Sequence, residues 1–356
     1  MSFALGNKRI GANAPCFIVF EAGPTHNGLE SAKDLVRLTK EAGADAVKFQ
    51  IFDPDRLVAD KKQLFTYEVL IDKDTGKTET VSEPLYDILV RRSMPRKDWQ
   101  ALKKYCDSLN LVFFSTVGFE EDVDFLASLG CHSVKIASAD INHFPLIRYA
   151  AHSGMSIQID TGNATLGEIE ACVDMILQEE NNRIIIHHCP TGYPARLESI
   201  NLRIIQTLKN MFDFPIAFSD HSPGGDMDIA AIALGANMVE KTITHDRTTR
   251  STEHMFSLEP HDMARFVKSV RELETALGAT FKTMTIEEKE NRRKIRRSMH
   301  LKRKVNAGDV LTADLIEFRR PGYGIAPNEY EVFLGMRFIR EMAAGEIVRY
   351  GDLRVA

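Results

Sequence analysis

The sequence predicts a (β/α)8 barrel followed by a small β domain. Eight short runs rich in β-branched and aromatic residues each precede an amphipathic, helix-like stretch, and this strict alternation is typical of the barrel fold. The length of 356 residues fits one such barrel, which takes about 250 residues, and one small appended domain. Barrels of this class carry their active sites at the carboxyl ends of the strands.

The predicted elements follow one another along the chain. The predicted strands lie near residues 16–21, 45–50, 111–116, 133–137, 156–160, 183–188, 215–219 and 237–241. The predicted helices lie near residues 30–43, 97–109, 119–129, 144–153, 165–180, 199–211, 226–235 and 259–277. The charged, turn-rich segment between Gln50 and Arg96 is too long for an ordinary connection, so we expect a lid or an oligomer contact there.

The barrel pattern stops after Leu277, where Gly278 is typical of a helix end. We therefore predict a barrel domain over residues 1–279, a linker over 280–298 and a turn-rich β domain over 299–356. The linker is strongly basic, and we interpret it as a solvated helix rather than an anion-binding patch.

Composition restricts the function classes. A net charge of −5 and a pI of about 6.2 argue against a nucleic-acid partner. No signal peptide pattern and no apolar run of about 20 residues is present, so we expect a cytoplasmic protein that acts on a small molecule, with no membrane partner. The widely spaced cysteines are predicted to be free core residues: Cys16, Cys106, Cys131, Cys172 and Cys189.

Polar side chains fall at or just past the predicted strand ends. They are Glu21, Lys48, Gln50, Thr116, Lys135, Ser138, Asp160, His188, Ser219, His221 and Glu240. Lys48 and Lys135 stand within apolar runs, and lysine is rarely buried without a partner. The two lysines therefore indicate a bound anion or paired carboxylates, and the hydroxyl groups of Thr116, Ser138 and Ser219 suit a phosphate.

Other interpretations of the two lysines remain open. Internal salt bridges to Glu21, Asp140 or Glu240 would satisfy them without a ligand. A Schiff-base aldolase that uses Lys48 or Lys135 as its nucleophile is a further alternative.

Imidazoles occur at the ends of the sixth and seventh strands. Only one of His187 and His188 can face the barrel interior, because neighbouring residues of a strand point to opposite faces. His221 precedes a Ser-Pro-Gly-Gly turn and is expected at the rim, where carboxylates such as Glu21 and Glu240 make a divalent metal site possible.

Several motifs carry a resemblance that extends over the whole chain. They are residues 21–28 (EAGPTHNG), 41–50 (EAGADAVKFQ), 114–116 (FST), 134–138 (VKIAS), 218–222 (FSDHS), 257–260 (SLEP) and 320–324 (RPGYG). With them the chain resembles the N-acetylneuraminate (sialic acid) synthase family, and most of all its spore coat polysaccharide biosynthesis protein E-like members. The last motif resembles the antifreeze-like (SAF) domain appended to those enzymes.

The resemblance implies a function and roles for individual residues. Family members condense phosphoenolpyruvate with an N-acylated hexosamine to give a nonulosonic 2-keto acid and phosphate. The residues implied to hold phosphoenolpyruvate are Lys48, Thr116, Lys135, Ser138 and Ser219. Those implied around the sugar are Glu21, Gln50, Tyr193 and Glu253. Asp140 would manage a proton at the aldehyde oxygen, His221 would bind the metal, and Arg320 would reach the N-acyl end from the partner in a domain-swapped homodimer.

The chain differs from the family pattern at two strand ends. Thr242 stands where the family has a second metal-binding histidine, so we expect Mn2+ or Mg2+ to bind weakly. Asp160 stands where serine is usual and would place a carboxylate beside the phosphate. The alternatives are a nonulosonic acid synthase for surface or spore-coat polysaccharide, with the family's substrate or an altered one, and a catalytically silent sugar-binding or assembly protein.

Overall fold

The computed structural model describes residues 1–355 and divides them into two compact units, the first spanning Met1–Gly278 and the second beginning at Ala279. The first unit is a closed barrel of eight parallel strands in chain order, in which the eighth strand pairs with the first. The barrel strands are Phe17–Glu21, Ala46–Gln50, Val112–Val117, Ser133–Ile136, Ser156–Asp160, Ile184–His188, Ile216–Asp220 and Met238–Thr242. The predicted fold is confirmed.

Helices surround the barrel at the predicted places. They are Leu29–Ala42, Arg96–Ser108, Glu120–Ser128, Phe144–His152, Leu166–Gln178, Ile204–Met211, Asp226–Ala233 and Pro260–Leu277, with the short helix Leu197–Ile200 before the sixth. Local chemistry fixes their ends: Thr165 and Glu168 form a capping box, and Gly43 ends the first helix in the left-handed conformation. The apolar sides of these helices and the outward-facing strand residues form the main core.

The amino end of the barrel is closed by apolar side chains. The inward-facing residues Phe17, Phe114 and Met238 pack with Leu5 and Ile10 in one buried cluster. The last two come from a hairpin of strands Ser2–Leu5 and Lys8–Gly11, which the sequence analysis did not anticipate. The barrel is therefore a packed core at this end, and its polar interior lies toward the carboxyl ends of the strands.

The long segment after the second strand is ordered. It contains the helix Pro54–Leu57, an antiparallel hairpin of strands Leu64–Asp72 and Lys77–Pro84, and the helix Leu85–Arg92. The turn-rich stretch identified in the sequence is the tip of this hairpin. Its predicted role as a lid or an oligomer contact stays a prediction.

The second unit has its own small core. The helix Ile286–Ile295 lies in the predicted linker, and no residue of it is buried. Strands Ser298–Leu301 and Ile316–Arg319 pair, as do Arg337–Phe338 and Leu353–Arg354, around a cluster that includes Met299, Leu311 and Phe338. These elements confirm the turn-rich β domain.

Two further expectations concern the cysteines and membrane association. All five cysteines are free and buried, as predicted. Among the helices of residues 1–355, none combines the length and apolar character needed to cross a bilayer.

Candidate active site

Side chains from alternate residues of each strand point into the barrel. This places Glu21, Lys48, Lys135, Asp160 and Glu240 inside, above the apolar floor, because their neighbours in the sequence pack outward against the helices. Strand pairing brings them together: Glu21 pairs in register with Lys48. The closed barrel thus gathers residues that lie more than 200 positions apart in the sequence.

A cavity of about 270 Å³ opens at the carboxyl ends of the strands, and we call it the central cavity. Most residues predicted for the site line it: Glu21, Lys48, Gln50, Thr116, Ser138, Tyr193, Ser219, His221 and Glu253. Asp160 and Glu240 line it as well, and Lys135 lies directly behind them in contact with both carboxylates. Gly23 is required at its edge, because a Cβ atom there would lie 2.6 Å from Glu21 Oε1.

Carboxylates neutralise the two buried lysines. Lys48 Nζ contacts Glu21 Oε2 and lies 2.6 Å from Glu240 Oε1. Lys135 Nζ lies 2.8 Å from Glu240 Oε1 and 2.9 Å from Asp160 Oδ2, and its side chain is fully buried. Of the two possibilities that the sequence left open, paired carboxylates are present. Asp160 is the member that the sequence analysis had not proposed as a partner.

The charges of this network do not balance. Three carboxylates face two ammonium groups, so the network carries one net negative charge when all five groups are ionised. Burial opposes the ionisation of Glu240, yet Lys135 and Lys48 hold the pKa of its carboxyl well below the usual range. Burial raises the pKa of Asp160 despite the nearby Lys135. Of Asp160 and Glu240, Asp160 is therefore the carboxyl group that accepts a proton more readily.

The two lysines differ in their acidity. Burial lowers the pKa of Lys48, and the charge of Lys135 adds to this effect. Burial also opposes the charge on Lys135, but Asp160 and Glu240 outweigh it and raise its pKa above the usual range. Lys135 is consequently a fixed cation and a poor nucleophile, which leaves Lys48 as the lysine better suited to Schiff-base chemistry.

Of the paired histidines, His187 is the one that faces the interior. Its Nε2–H donates to Gln158 Oε1 at 2.8 Å, and its Nδ1 lies 3.8 Å from Asp160 Oδ1. Burial lowers the pKa of His187 well below its usual value, and the positive charge of Lys135 adds to this effect, so the ring is neutral. His188, one of the polar residues at the predicted strand ends, points outward instead, and its Nε2–H donates to the Ile200 carbonyl.

His221 lies at the rim as predicted. Its ring stands 4.8 Å from that of Tyr193, and its Nδ1–H donates to the Pro190 carbonyl at 3.2 Å, which leaves Nε2 as the free ligand atom. Across residues 1–355, His221 belongs to no group of three His, Cys, Asp or Glu side chains whose ligand atoms converge. The one such group in these residues is Glu259, His261 and Asp262.

Comparison with known proteins agrees with this architecture. Residues 35–282 match the NeuB family model, and residues 296–354 match the SAF domain model. The chain belongs to the NeuB family. It is 34% identical over 345 residues to an N,N'-diacetyllegionaminic acid synthase of Legionella pneumophila, covering 96% of this chain and 95% of that relative.

Two further relatives have related names. The spore coat polysaccharide biosynthesis protein SpsE of Bacillus subtilis is 32% identical over 372 residues, covering 99% of this chain and 97% of that relative. The crystal structure of an N-acetylneuraminic acid synthetase from Leptospira borgpetersenii in complex with citrate has a TM-score of 0.71 and 30% identity, and covers 82% of this chain and 95% of that one. The family suggested by the motifs is confirmed.

Besides Lys135, two predicted site residues lie outside the lining of the central cavity. Asp140 belongs to the 3-10 helix Ser138–Asp140, and its carboxyl lies 3.8 Å from His143 Nδ1. Burial raises the pKa of Asp140, which suits a proton donor. Arg320 is an exposed residue of the second unit. Their assigned roles stay predictions.

One wall of the central cavity was not predicted from the sequence. This wall consists of Phe65, Leu85, Ile88, Leu89 and Arg92 from the segment after the second strand, together with Thr252. A signal for it was present in the sequence, because residues 85, 88, 89 and 92 have the i, i+3, i+4, i+7 spacing of one helix face. That spacing places Arg92 on the same face as three apolar residues.

Proposed function

We propose that this NeuB family protein condenses phosphoenolpyruvate with the open-chain aldehyde of an N-acylated hexosamine, giving a nonulosonic 2-keto acid and phosphate. The observation that carries the proposal is the pair of buried lysines at the carboxyl ends of the second and fourth strands, beside the hydroxyl groups of Thr116, Ser138 and Ser219. Cations and hydroxyl donors at one site suit the phosphate and carboxylate of this substrate. The names of the relatives, which include a legionaminic acid and a sialic acid synthase, support the same chemistry.

In the proposed reaction the C3 methylene of phosphoenolpyruvate attacks the aldehyde carbon, and the aldehyde oxygen takes up a proton. Water then adds at C2, and the C2–O bond breaks as phosphate leaves. Lys48 and Lys135 hold the anion, and Asp140, whose pKa burial raises, donates the proton. Gln50, Tyr193 and Glu253 orient the sugar.

We further propose a domain-swapped homodimer in which Arg320 of one chain completes the site of the other. Arg320 is exposed in its own unit, and among residues 1–355 its guanidinium has no carboxylate within salt-bridge distance. A free guanidinium of this kind suits a neutral or acidic acceptor on a second chain. The metal site would contain a single imidazole, that of His221, which supports weak binding of Mn2+ or Mg2+.

A second candidate function is a sugar-binding protein without catalytic activity. The observations that favour it are the carboxylate of Asp160 on Lys135, where an anionic substrate would bind, and Thr242 in place of a metal-binding imidazole. The decisive experiment is phosphate release from phosphoenolpyruvate across a panel of N-acylated hexosamines. A synthase releases one phosphate for each 2-keto acid that it forms, and Lys135→Met abolishes this phosphate release. A catalytically silent protein releases no phosphate with any sugar. Treatment with pyruvate and borohydride traps a covalent adduct only if a lysine forms a Schiff base, which distinguishes the Schiff-base aldolase from the synthase.

A further inference from the structure

His187 and Asp160 face each other inside the barrel with unsatisfied polar atoms. The side chain of His187 is fully buried, and its Nδ1 lies 3.8 Å from Asp160 Oδ1. Neither atom has a hydrogen-bond partner in residues 1–355. Buried polar atoms are normally satisfied, because the hydrogen bonds that they lose to water are costly. Two such atoms at this separation indicate a hydrogen bond that forms only when one of them carries a proton.

A row of buried side chains decides which nitrogen of His187 carries hydrogen. Ser133 donates its single hydroxyl proton to the Ser156 carbonyl at 3.1 Å, so Ser133 Oγ accepts from its other neighbours. One of these donors is Gln158 Nε2 at 2.9 Å, which turns Gln158 Oε1 toward His187 Nε2 at 2.8 Å. Because an amide oxygen only accepts, the hydrogen of the His187 ring lies on Nε2.

The other ring nitrogen, His187 Nδ1, is therefore an acceptor. Burial lowers the pKa of His187 well below its usual value, so the neutral ring carries no second proton. An ionised Asp160 presents lone pairs to this acceptor, and the separation of 3.8 Å is roughly 1 Å longer than an ordinary hydrogen bond. A proton on Asp160 Oδ1 converts the same repulsive contact into an O–H···N hydrogen bond.

The two oxygens of Asp160 have different surroundings. Oδ2 contacts Lys135 Nζ at 2.9 Å, whereas Oδ1 faces His187. A proton on Oδ1 leaves the contact between Oδ2 and Lys135 in place. It also removes the negative charge that would repel an anion bound at Lys135. The pairing with His187 thus allows a carboxyl group to occupy the anion site.

Other charged groups bias the ionisation of Asp160. Burial raises its pKa; Lys135 and Lys48 favour the carboxylate, and Glu240 favours the protonated form. Glu21 of the first strand contacts Lys48 and offsets part of its charge. Two further ionisable groups near Asp160 are neutral because burial raises the pKa of each, and they are the thiol of Cys189 and the phenol of Tyr193. A bound anion adds negative charge, so it favours the protonated carboxyl.

We propose that His187 is a positioning residue whose Nδ1 receives a hydrogen bond from Asp160 Oδ1 when that carboxyl takes up a proton as phosphoenolpyruvate binds at Lys135. The proton comes from solvent and stays on Asp160, so this pair makes and breaks no bond of the substrate. His187 thereby directs the proton away from Lys135, whose ammonium group stays available to the anion. This inference rests on the proposed function for the identity of the anion, whereas the response of the pair to pH does not depend on it.

Two substitutions test the two nitrogens of His187 separately. The amide of His187→Gln overlaps the Nε2 position and keeps a donor for Gln158, whereas the shorter amide of His187→Asn overlaps the Nδ1 position and offers its oxygen to Asp160. The measurement is the infrared band of a protonated carboxyl that appears in the ligand-free, full-length protein as the pH falls. The part of this band that is missing in Asp160→Asn reports Asp160.

The variants should differ in the midpoint of this transition. His187→Gln lowers the midpoint by about one pH unit, because the protonated carboxyl loses its acceptor. His187→Asn keeps the native midpoint. His188→Gln is the matched control, since His188 points away from the barrel interior, and it also keeps the native midpoint. Above the native midpoint, His187→Gln binds phosphoenolpyruvate about tenfold more weakly in calorimetry, because less of its Asp160 is protonated, and His187→Asn binds it as the native protein does.

The outcomes separate this inference from the proposed function. Synthase activity with equal midpoints in the native, His187→Gln and His187→Asn proteins overturns the role of His187 and retains the synthase. If phosphoenolpyruvate does not bind, the proposed function fails, and the infrared midpoints alone decide the pairing. Nitrogen resonances of the native protein labelled with 15N-histidine need no variant that folds. Hydrogen on Nε2, with an Nδ1 resonance that moves as Asp160 titrates, upholds the pairing, and hydrogen on Nδ1 overturns it.

Discussion

Asp160→Asn is expected to tighten the binding of phosphoenolpyruvate. An anion held by Lys135 must approach an ammonium group that Asp160 Oδ2 already contacts at 2.9 Å. Two oxygens on one nitrogen lie roughly 4–5 Å apart, and two unit charges at that distance repel by about 4 kcal/mol at an effective dielectric near 20. Protonation of Asp160 relieves part of this cost, so we expect the dissociation constant to fall at least about tenfold, or 1.4 kcal/mol.

The substitution should leave the fold intact. With Asp160 neutral, Glu21 and Glu240 balance Lys48 and Lys135, and Lys135 keeps its contact with Glu240 at 2.8 Å. Burial raises the pKa of Asp160 in the folded state, so its charge weakens folding above that pKa. The melting temperature of Asp160→Asn at pH 8 is therefore expected to match or exceed that of the native protein.

Calorimetric titration with phosphoenolpyruvate at pH 8 measures this effect. Asp107→Asn is the control, because it removes the same charge from an exposed carboxylate that lies 2.7 Å from Lys103. The control should leave the affinity unchanged, since exposed charges are screened by solvent and salt. Unchanged or weaker binding in a folded Asp160→Asn protein would refute the idea that Asp160 competes with the anion for Lys135.

Four other outcomes are expected. Lys135→Met weakens phosphoenolpyruvate binding at least about tenfold in calorimetry, because a charge-assisted contact contributes about 1.5–3 kcal/mol, and unchanged affinity would remove Lys135 from the anion site. Anion binding raises the already elevated pKa of Asp160 further, so native protein takes up a proton and its affinity rises as pH falls through that pKa; buffer-dependent calorimetric heats should show this uptake, and Asp160→Asn should lack it. Thr242→His strengthens Mn2+ binding, measured by electron paramagnetic resonance, and tight binding by the native protein would contradict the account of His221. Mixed dimers of Arg320→Ala and Lys135→Met chains regain part of the activity, because one of the two sites is intact; no rescue in verified mixed dimers would exclude sharing of Arg320.

The sequence alone predicted the barrel and most of the lining of its cavity. Both depend on periodicity within short segments, which neighbouring residues encode, and on the rule that barrel sites lie at the carboxyl ends of strands. The two-residue period also showed that one of His187 and His188 faces inward. It did not show which, because that depends on how the strand is rotated relative to the barrel axis.

Only the tertiary structure decided which groups neutralise the two lysines and which residues form the remaining wall of the central cavity. Glu240 lies 192 residues from Lys48 and 105 residues from Lys135 in the sequence, and closure of the barrel brings the three side chains into contact. Arg92 reaches the cavity because the hairpin before its helix folds over the strand ends. Local pattern fixes the face of an element on which a side chain lies, whereas the partner it meets depends on packing between elements that are distant in the chain.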